Sequence, residues 1–179
     1  MTRGEVPDIQ KRTVGRHRAT RKFVKLDGDA HTVKTADIGG QTVYWEEWVR
    51  DMRGRHVKYV IFLFDDRHLD KHYDIEQQLS WTFLVDTICN PYWTIGGRKK
   101  KKQDHDYPLA VGLWANKYDL WKDKYPHNGK IEDHPIFASF KPGLQKLNET
   151  GIPCHKYIVS AKSDSEMVYR GVLTMIKDY

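Results

Sequence analysis

The sequence has few cysteines, no long apolar run and no secretory signal. Its two cysteines, Cys89 and Cys154, show neither metal-site nor redox spacing, so a reducing compartment is predicted. No apolar stretch approaches the length of a membrane span, and residues 1–23 lack the apolar centre of a signal peptide. No serine lies in the glycine pattern of a nucleophile elbow, which argues against a Ser-His-Asp hydrolase. These absences predict a cytoplasmic protein.

Positive charge is plentiful and unevenly spread. Residues 1–25 hold eight Lys and Arg against two acidic residues, which accounts for the whole net charge of +6. A second basic run, RKKKK, lies at Arg98–Lys102. Basic residues gathered in this way predict a face that meets a phosphate, an acidic protein or an anionic membrane surface at the periphery of a bilayer. Nothing resembles a recognition helix or a platform for single strands, which argues against nucleic acid.

The hydrophobic pattern predicts one α/β domain over residues 1–179. Alternation predicts two strands joined by a turn, at 21–26 and 31–37, and apolar runs predict buried strands at 57–64, 107–116 and 154–161. Helical periods predict helices at 70–88, 134–151 and 164–179. The first of these helices has apolar residues at helical spacing at Ile75, Leu79, Phe83 and Leu84, and the second is expected to be interrupted near Pro142. The lysine-rich stretch 96–107 is predicted to be a solvated loop. Strands that alternate with helices indicate a mostly parallel sheet.

Polar clusters follow three of the predicted strands, at the edge where α/β sheets bind ligands. They are Asp37–Gln41 (DIGGQ), Asn116–Asp119 (NKYD) and Ser160–Lys162 (SAK). A carboxylate such as Asp119 accepts two parallel hydrogen bonds from adjacent N–H donors, which guanine has and adenine lacks. The aliphatic stem of Lys117 suits a purine face. Read singly, the clusters are ordinary turns and helix starts; read together, they predict a guanine site.

Together these motifs resemble a small GTPase of the Ras superfamily, closest to the Arf-like branch, from about Gly4 onward. The resemblance implies a P-loop NTPase-like G domain, with an α/β/α arrangement of three layers, that binds GTP or GDP with Mg²⁺ and hydrolyses GTP as a molecular switch. It implies that Gln41 orients the attacking water and that Gly40 binds the γ-phosphate through its backbone N–H. Thr13, in RTVG, and Asp37 would hold Mg²⁺, and Thr13 would also meet the phosphate. The guanine-binding set would be Asn116, Lys117, Asp119, Ser160, Ala161 and Lys162.

One part of this family's pattern is missing from the sequence. The phosphate-binding motif GxxxxGK[ST] occurs nowhere in the 179 residues. The resemblance places the missing loop and its strand upstream of Thr13, with that strand inside the sheet between the strand that ends at Asp37 and the strand at 57–64. Three explanations stay open: the sequence is a fragment, another polypeptide supplies the strand, or the domain is a pseudo-GTPase.

Two further functions stay open beside the GTPase. The chain could be a nucleotide-free interaction module, or a basic domain for anionic surfaces that uses residues 1–25 and Arg98–Lys102. Trp45 and Trp48 are either core residues or contacts for effector and regulator proteins, which the resemblance places around Thr13 and Gln41–Trp48. A metal site on His68 and His72 is disfavoured, because no distant third ligand is evident.

Overall fold

The computed structural model describes residues 20–26, 29–35, 38–69, 75–160 and 165–177, with backbone alone for the range 20–35. In these residues seven strands form three sheets. They are β1 (Thr20–Leu26), β2 (Asp29–Thr35), β3 (Tyr59–Phe64), β4 (Tyr92–Ile95), β5 (Arg98–Lys101), β6 (Ala110–Ala115) and β7 (Cys154–Ile158). The central sheet has the order β3-β6-β7 and is parallel throughout, as predicted. β1 and β2 form the predicted antiparallel hairpin, and β4 and β5 form another.

Five α-helices surround or flank the sheet in the described residues. They are α1 (Trp45–Arg55), α2 (Ile75–Cys89), α3 (Tyr118–Trp121), α4 (Lys141–Glu149) and α5 (Ser165–Lys177). A 3-10 segment, Pro135–Phe140, leads directly into α4. Pro142 lies in the first turn of α4, where its missing N–H costs no helical bond, so the predicted interruption falls where the two helix types meet. Among the residues that the structure describes, no helix has the length and apolar character needed to cross a membrane.

The sheet is covered by helices on both faces, which gives the α/β layering expected from the sequence. All six residues of β6 are buried. On one face Phe62 and Phe64 join the aromatic core with Trp81 of α2 and Phe140, whose ring centroid is 4.4 Å from that of Phe64. On the other face Met175 of α5 packs in a second cluster with β6. This packing fixes the three strand ends relative to one another.

The buried faces of α2 and β3 differ from what their apolar patterns suggest, and the prediction that β3 is buried on both faces is wrong. Ile75 and Leu79 of α2 are 66% and 44% exposed, and the helix instead buries a face that includes Trp81 and Leu84. Because α2 is apolar around much of its circumference, its period alone does not select the buried face, and the large indole does. Leu63 of β3 is 56% exposed, so this strand is not buried on both faces. Among the described strands, β3 lies at the edge of its sheet, and β2 belongs to a different sheet.

The lysine-rich stretch 96–107 is not the loop that was predicted. Its first part completes the β4–β5 hairpin, whose turn residues Gly96 and Gly97 have φ of +56° and +73°, as two-residue hairpin turns require. All four residues of β5 are exposed, so the expectation of solvation holds for them. Lys102 is 5% exposed and donates to the carbonyl oxygens of Thr87 and Ile88 at the end of α2. Trp93 of β4 is buried in the core and holds the hairpin against the domain.

Candidate functional site

Of the three predicted clusters, NKYD follows β6 and the serine of SAK follows β7, both in the central sheet. The third cluster, DIGGQ, follows β2, which belongs to a different sheet, so the described strands place two of the three clusters, and not all three, at one sheet edge. The polar residues after β3, β6 and β7 lie at the ends of three neighbouring parallel strands. Backbone hydrogen bonds join these ends: Asn116 N lies 2.7 Å from Phe64 O, and Val159 N lies 2.8 Å from Ala115 O. A further bond, 3.2 Å from Tyr118 N to Val159 O, ties the loop after β6 to the end of β7. The sheet therefore brings together the segments that the sequence places 40 or more residues apart.

The NKYD and SAK motifs are in direct contact. The Ser160 hydroxyl, which is buried, donates a hydrogen bond to Oδ1 of Asp119. Asp119 itself is exposed in the first turn of α3. The hydrogen bond fixes the orientation of a carboxylate that solvent reaches, which is the arrangement needed to present it to a ligand.

Lys117 has a left-handed backbone conformation, with φ of +60° and ψ of +33°. This conformation costs a non-glycine residue about 1 kcal/mol. The side chain of Asn116 supports it, because Asn116 Oδ1 accepts a hydrogen bond from Lys117 N at 2.8 Å. Trp121 Nε1 donates to the carbonyl oxygen of Asn116 at 2.7 Å and anchors the same turn to the core. Strain at this position is retained because several contacts hold it.

Asp65, directly after β3, organises the site and was not predicted as a member of it. Its carboxylate accepts hydrogen bonds from Lys117 Nζ at 2.9 Å, Arg67 Nε at 2.7 Å and Gln77 Nε2 at 2.8 Å. Burial alone would raise the pKa of Asp65, but these hydrogen bonds outweigh it and hold the pKa well below the usual range. The Lys117 stem is thereby held across the edge of the sheet. An aspartate immediately after an apolar run of strand residues was the signal available in the sequence.

The backbone of Gly39 and Gly40 is held by side chains of α1 and α2. Trp48 Nε1 donates to Gly39 O at 3.1 Å, and Ser80 Oγ donates to Gly40 O at 2.8 Å. Gln41 is half-buried at the start of the 3-10 turn that leads into α1. A Cβ on Gly40 would meet no atom within 4 Å, so the described structure itself does not demand a glycine at this position.

The two tryptophans after Gln41 pack inward. Trp48 is 9% exposed and lies in the core, while Trp45 is half-buried and stacks on Phe83 with 4.3 Å between ring centroids. Val43, 72% exposed, is the large apolar side chain that this stretch presents to solvent. Of the two readings for the tryptophans, the core reading is confirmed for Trp48.

Four predicted site residues lie outside the described residues: Thr13, Asp37, Ala161 and Lys162. The disfavoured metal site also finds no support at His68, which is buried with both ring nitrogens within 2.9 Å of backbone carbonyl oxygens. Its other histidine, at position 72, lies outside the described residues.

Comparison with models of protein families finds none that matches this chain, and no curated protein shows significant similarity to it. The fold defines the class that can be stated plainly: an α/β domain with a parallel sheet and a polar site at its carboxyl ends. Any functional conclusion therefore depends on the chemistry of that site.

Proposed function

We propose that this chain binds a guanine nucleotide at the ends of β6 and β7 and acts as a GTPase-like molecular switch. The observation that carries the proposal is the contact between Ser160 and the exposed carboxylate of Asp119. A carboxylate fixed in this way matches the paired N–H donors on the edge of guanine. The Lys117 stem, held by Asp65, supplies an apolar surface for the face of the ring.

Hydrolysis of GTP to GDP extends the proposal to the segment that begins at Gly39. In this reading Gln41 orients the attacking water, and the N–H of Gly40 binds the γ-phosphate. The hydrogen bonds that Trp48 and Ser80 donate to the carbonyl oxygens of Gly39 and Gly40 hold the backbone of this segment in place. Mg²⁺ prefers oxygen ligands, which Thr13 and Asp37 would supply, and it would neutralise phosphate charge. We expect Gln41→Leu to bind nucleotide normally and to lose turnover.

Calorimetry with GTP, GDP and ATP in the presence of Mg²⁺ tests the base site. We expect guanine nucleotides to bind and ATP not to bind. Asp119→Ala removes two charge-assisted hydrogen bonds, so the affinity for GDP should fall by about 100-fold, the equivalent of about 3 kcal/mol. Asp123→Ala is a matched control, because Asp123 is another exposed aspartate close by in the chain. Equal affinity for ATP and GTP, or equal losses in the two variants, would contradict the proposal.

A second candidate function is attachment to an anionic membrane surface through β5. The four residues Arg98–Lys101 are all exposed, and Lys99 Nζ lies 4.2 Å from the centre of the Tyr92 ring. Each basic residue near a lipid surface contributes about 1 kcal/mol of attraction. Sedimentation with vesicles that contain phosphatidylserine tests this function. Lys99→Gln together with Lys101→Gln should weaken binding by at least tenfold, and vesicles of phosphatidylcholine should bind neither protein.

A further inference from the structure

Two imidazoles and a carboxylate converge beside the end of α1, at the rim of a cavity of about 350 Å³. His56 follows the last residue of α1, and His105 and Asp106 belong to the 3-10 turn Asp104–Asp106 after β5. Asp106 Oδ1 lies 2.9 Å from His56 Nδ1 and 3.8 Å from His105 Nε2. One ligand atom from each of the three residues lies within 4.8 Å of the other two. We propose that these residues bind a divalent transition metal of the Zn²⁺ type.

The separations suit such an ion. Ligand atoms about 2.0–2.2 Å from a tetrahedral zinc ion lie about 3.4 Å from one another, and the distances of 2.9 and 3.8 Å from Asp106 Oδ1 to the two imidazole nitrogens lie on either side of that value. Two imidazoles on one tetrahedral zinc have ring centroids about 5 Å apart. Those of His56 and His105 are 4.7 Å apart. Binding requires small side-chain adjustments, in which the ion replaces the hydrogen bond between His56 and Asp106.

The carboxylate is fixed and the histidines are accessible. Asp106 Oδ2 accepts a hydrogen bond from Gln103 N at 3.0 Å, and the Asp106 side chain is 10% exposed. The side chains of His56 and His105 are 55% and 57% exposed, so an ion can reach them from solvent. His56 also lies at the C-terminal end of an eleven-residue helix, whose dipole favours a cation.

Basic side chains in the same cavity determine which ions the site takes. Arg50 and Arg53 of α1 and Lys100 of β5 line it. Their charge opposes weakly bound cations, so Mg²⁺ and Ca²⁺, which need several oxygen ligands, are excluded. Imidazole ligands favour Zn²⁺, Ni²⁺ and Cu²⁺. A coordination position not used by the protein would hold water or an anion, which the basic lining favours.

Titration of the full chain with ZnCl₂, without nucleotide, tests this proposal independently of the guanine site. We expect one Zn²⁺ to bind and the thermal midpoint to rise by several degrees, with no response to MgCl₂. His56→Ala and His105→Ala should each weaken binding by at least tenfold. His127→Ala should leave it unchanged, because His127 lies outside the cluster. Asp106→Asn should weaken binding, whereas Asp104→Asn, on the same turn, should not.

Far-UV circular dichroism establishes that each variant folds, so a loss of binding reports on the ligands. Absence of zinc binding in the wild type would overturn the proposal. Equal binding in the His56, His105 and His127 variants would also overturn it. A thermal shift with inorganic phosphate and none with zinc would assign the cavity to an anion and would reject the metal.

Discussion

Substituting Asn for Asp65 tests whether the network around this carboxylate stabilises the sheet edge. The change keeps the size of the side chain and removes its charge. Lys117 Nζ and Arg67 Nε then face a neutral amide where each now donates to a carboxylate, at 2.9 and 2.7 Å. The Asp65 side chain is 7% exposed, so water cannot fully replace the lost acceptor.

The size of the effect follows from the exposure of the partners. Each hydrogen bond to a charged group contributes about 1.5–3 kcal/mol to stability when it is shielded from water. Lys117 and Arg67 are 34% and 52% exposed and regain hydration when released, so we expect a total loss of about 2–3 kcal/mol. Because the pKa of Asp65 is lowered in the folded state, its contribution is complete above the pKa of about 3.9 of a free aspartate. The contribution is lost as the pH falls through the folded-state pKa.

Urea unfolding of both proteins at pH 7 and at pH 3 measures this difference. The free energy of unfolding should be larger for the wild type than for Asp65→Asn at pH 7, and the difference between the two proteins should be smaller at pH 3. Asp86→Asn is the matched control, because Asp86 pairs with Lys146 at 2.7 Å while both side chains are about half exposed. It should cost less than about 1 kcal/mol. Equal losses for the two substitutions, or a gap at Asp65 that does not change with pH, would refute the reasoning.

Two further substitutions test the packing. Gly143→Ala in α4 should destabilise the protein by about 1–3 kcal/mol, because the new Cβ would lie 2.2 Å from Nε1 of the buried Trp81. Gly54→Ala in α1 should stabilise the protein by about 0.5–1 kcal/mol, because its new Cβ would meet no atom within 4 Å. If denaturant unfolding shows that both substitutions change the free energy of unfolding in the same direction, this prediction is contradicted. Burial lowers the pKa of Lys102 to about 8, so the folded state releases its proton first and stability rises with pH above 8. The free energy of unfolding of the wild type, measured relative to that of Lys102→Met, should rise by about 2 kcal/mol between pH 8 and pH 10. If the difference between the two proteins stays constant over this range, the Lys102 ammonium is not buried.

Much of the sheet was predictable because its strands have a strong local signal. The apolar runs that became β3 and β6 favour strands through their β-branched and aromatic residues, and the turn residues between β1 and β2 indicate their hairpin. The face of α2 was not predictable, since Ile75 and Trp81 are both apolar and only the packed core selects between them. The β4–β5 hairpin was missed because four consecutive basic residues look like solvated chain. Their strand forms through pairing with β4, a contact that charge patterning does not reveal.

The motifs of the candidate site were predictable from the sequence, but the side chains that hold those motifs in place were not. The spacing of Asn116, Asp119 and Ser160 predicted a base site, because each follows a strand with a clear pattern. Asp65 was not predicted, because its bond to Lys117 joins residues 52 positions apart. Such a contact depends on strand order, which a single sequence leaves open. The His56 cluster was missed for the same reason, since Asp106 is 50 positions away.

The measurement to make first is the affinity of the wild type and of Asp119→Asn for GDP and for XDP, the corresponding xanthine nucleotide. Guanine presents two N–H donors to a carboxylate, whereas xanthine carries a carbonyl in place of the exocyclic amine and accepts a bond from an amide N–H. We expect Asp119→Asn to bind GDP about 100-fold more weakly than the wild type does, and to bind XDP more tightly than GDP. If the wild type binds neither nucleotide, or if the substitution leaves the preference unchanged, Asp119 does not recognise a guanine base.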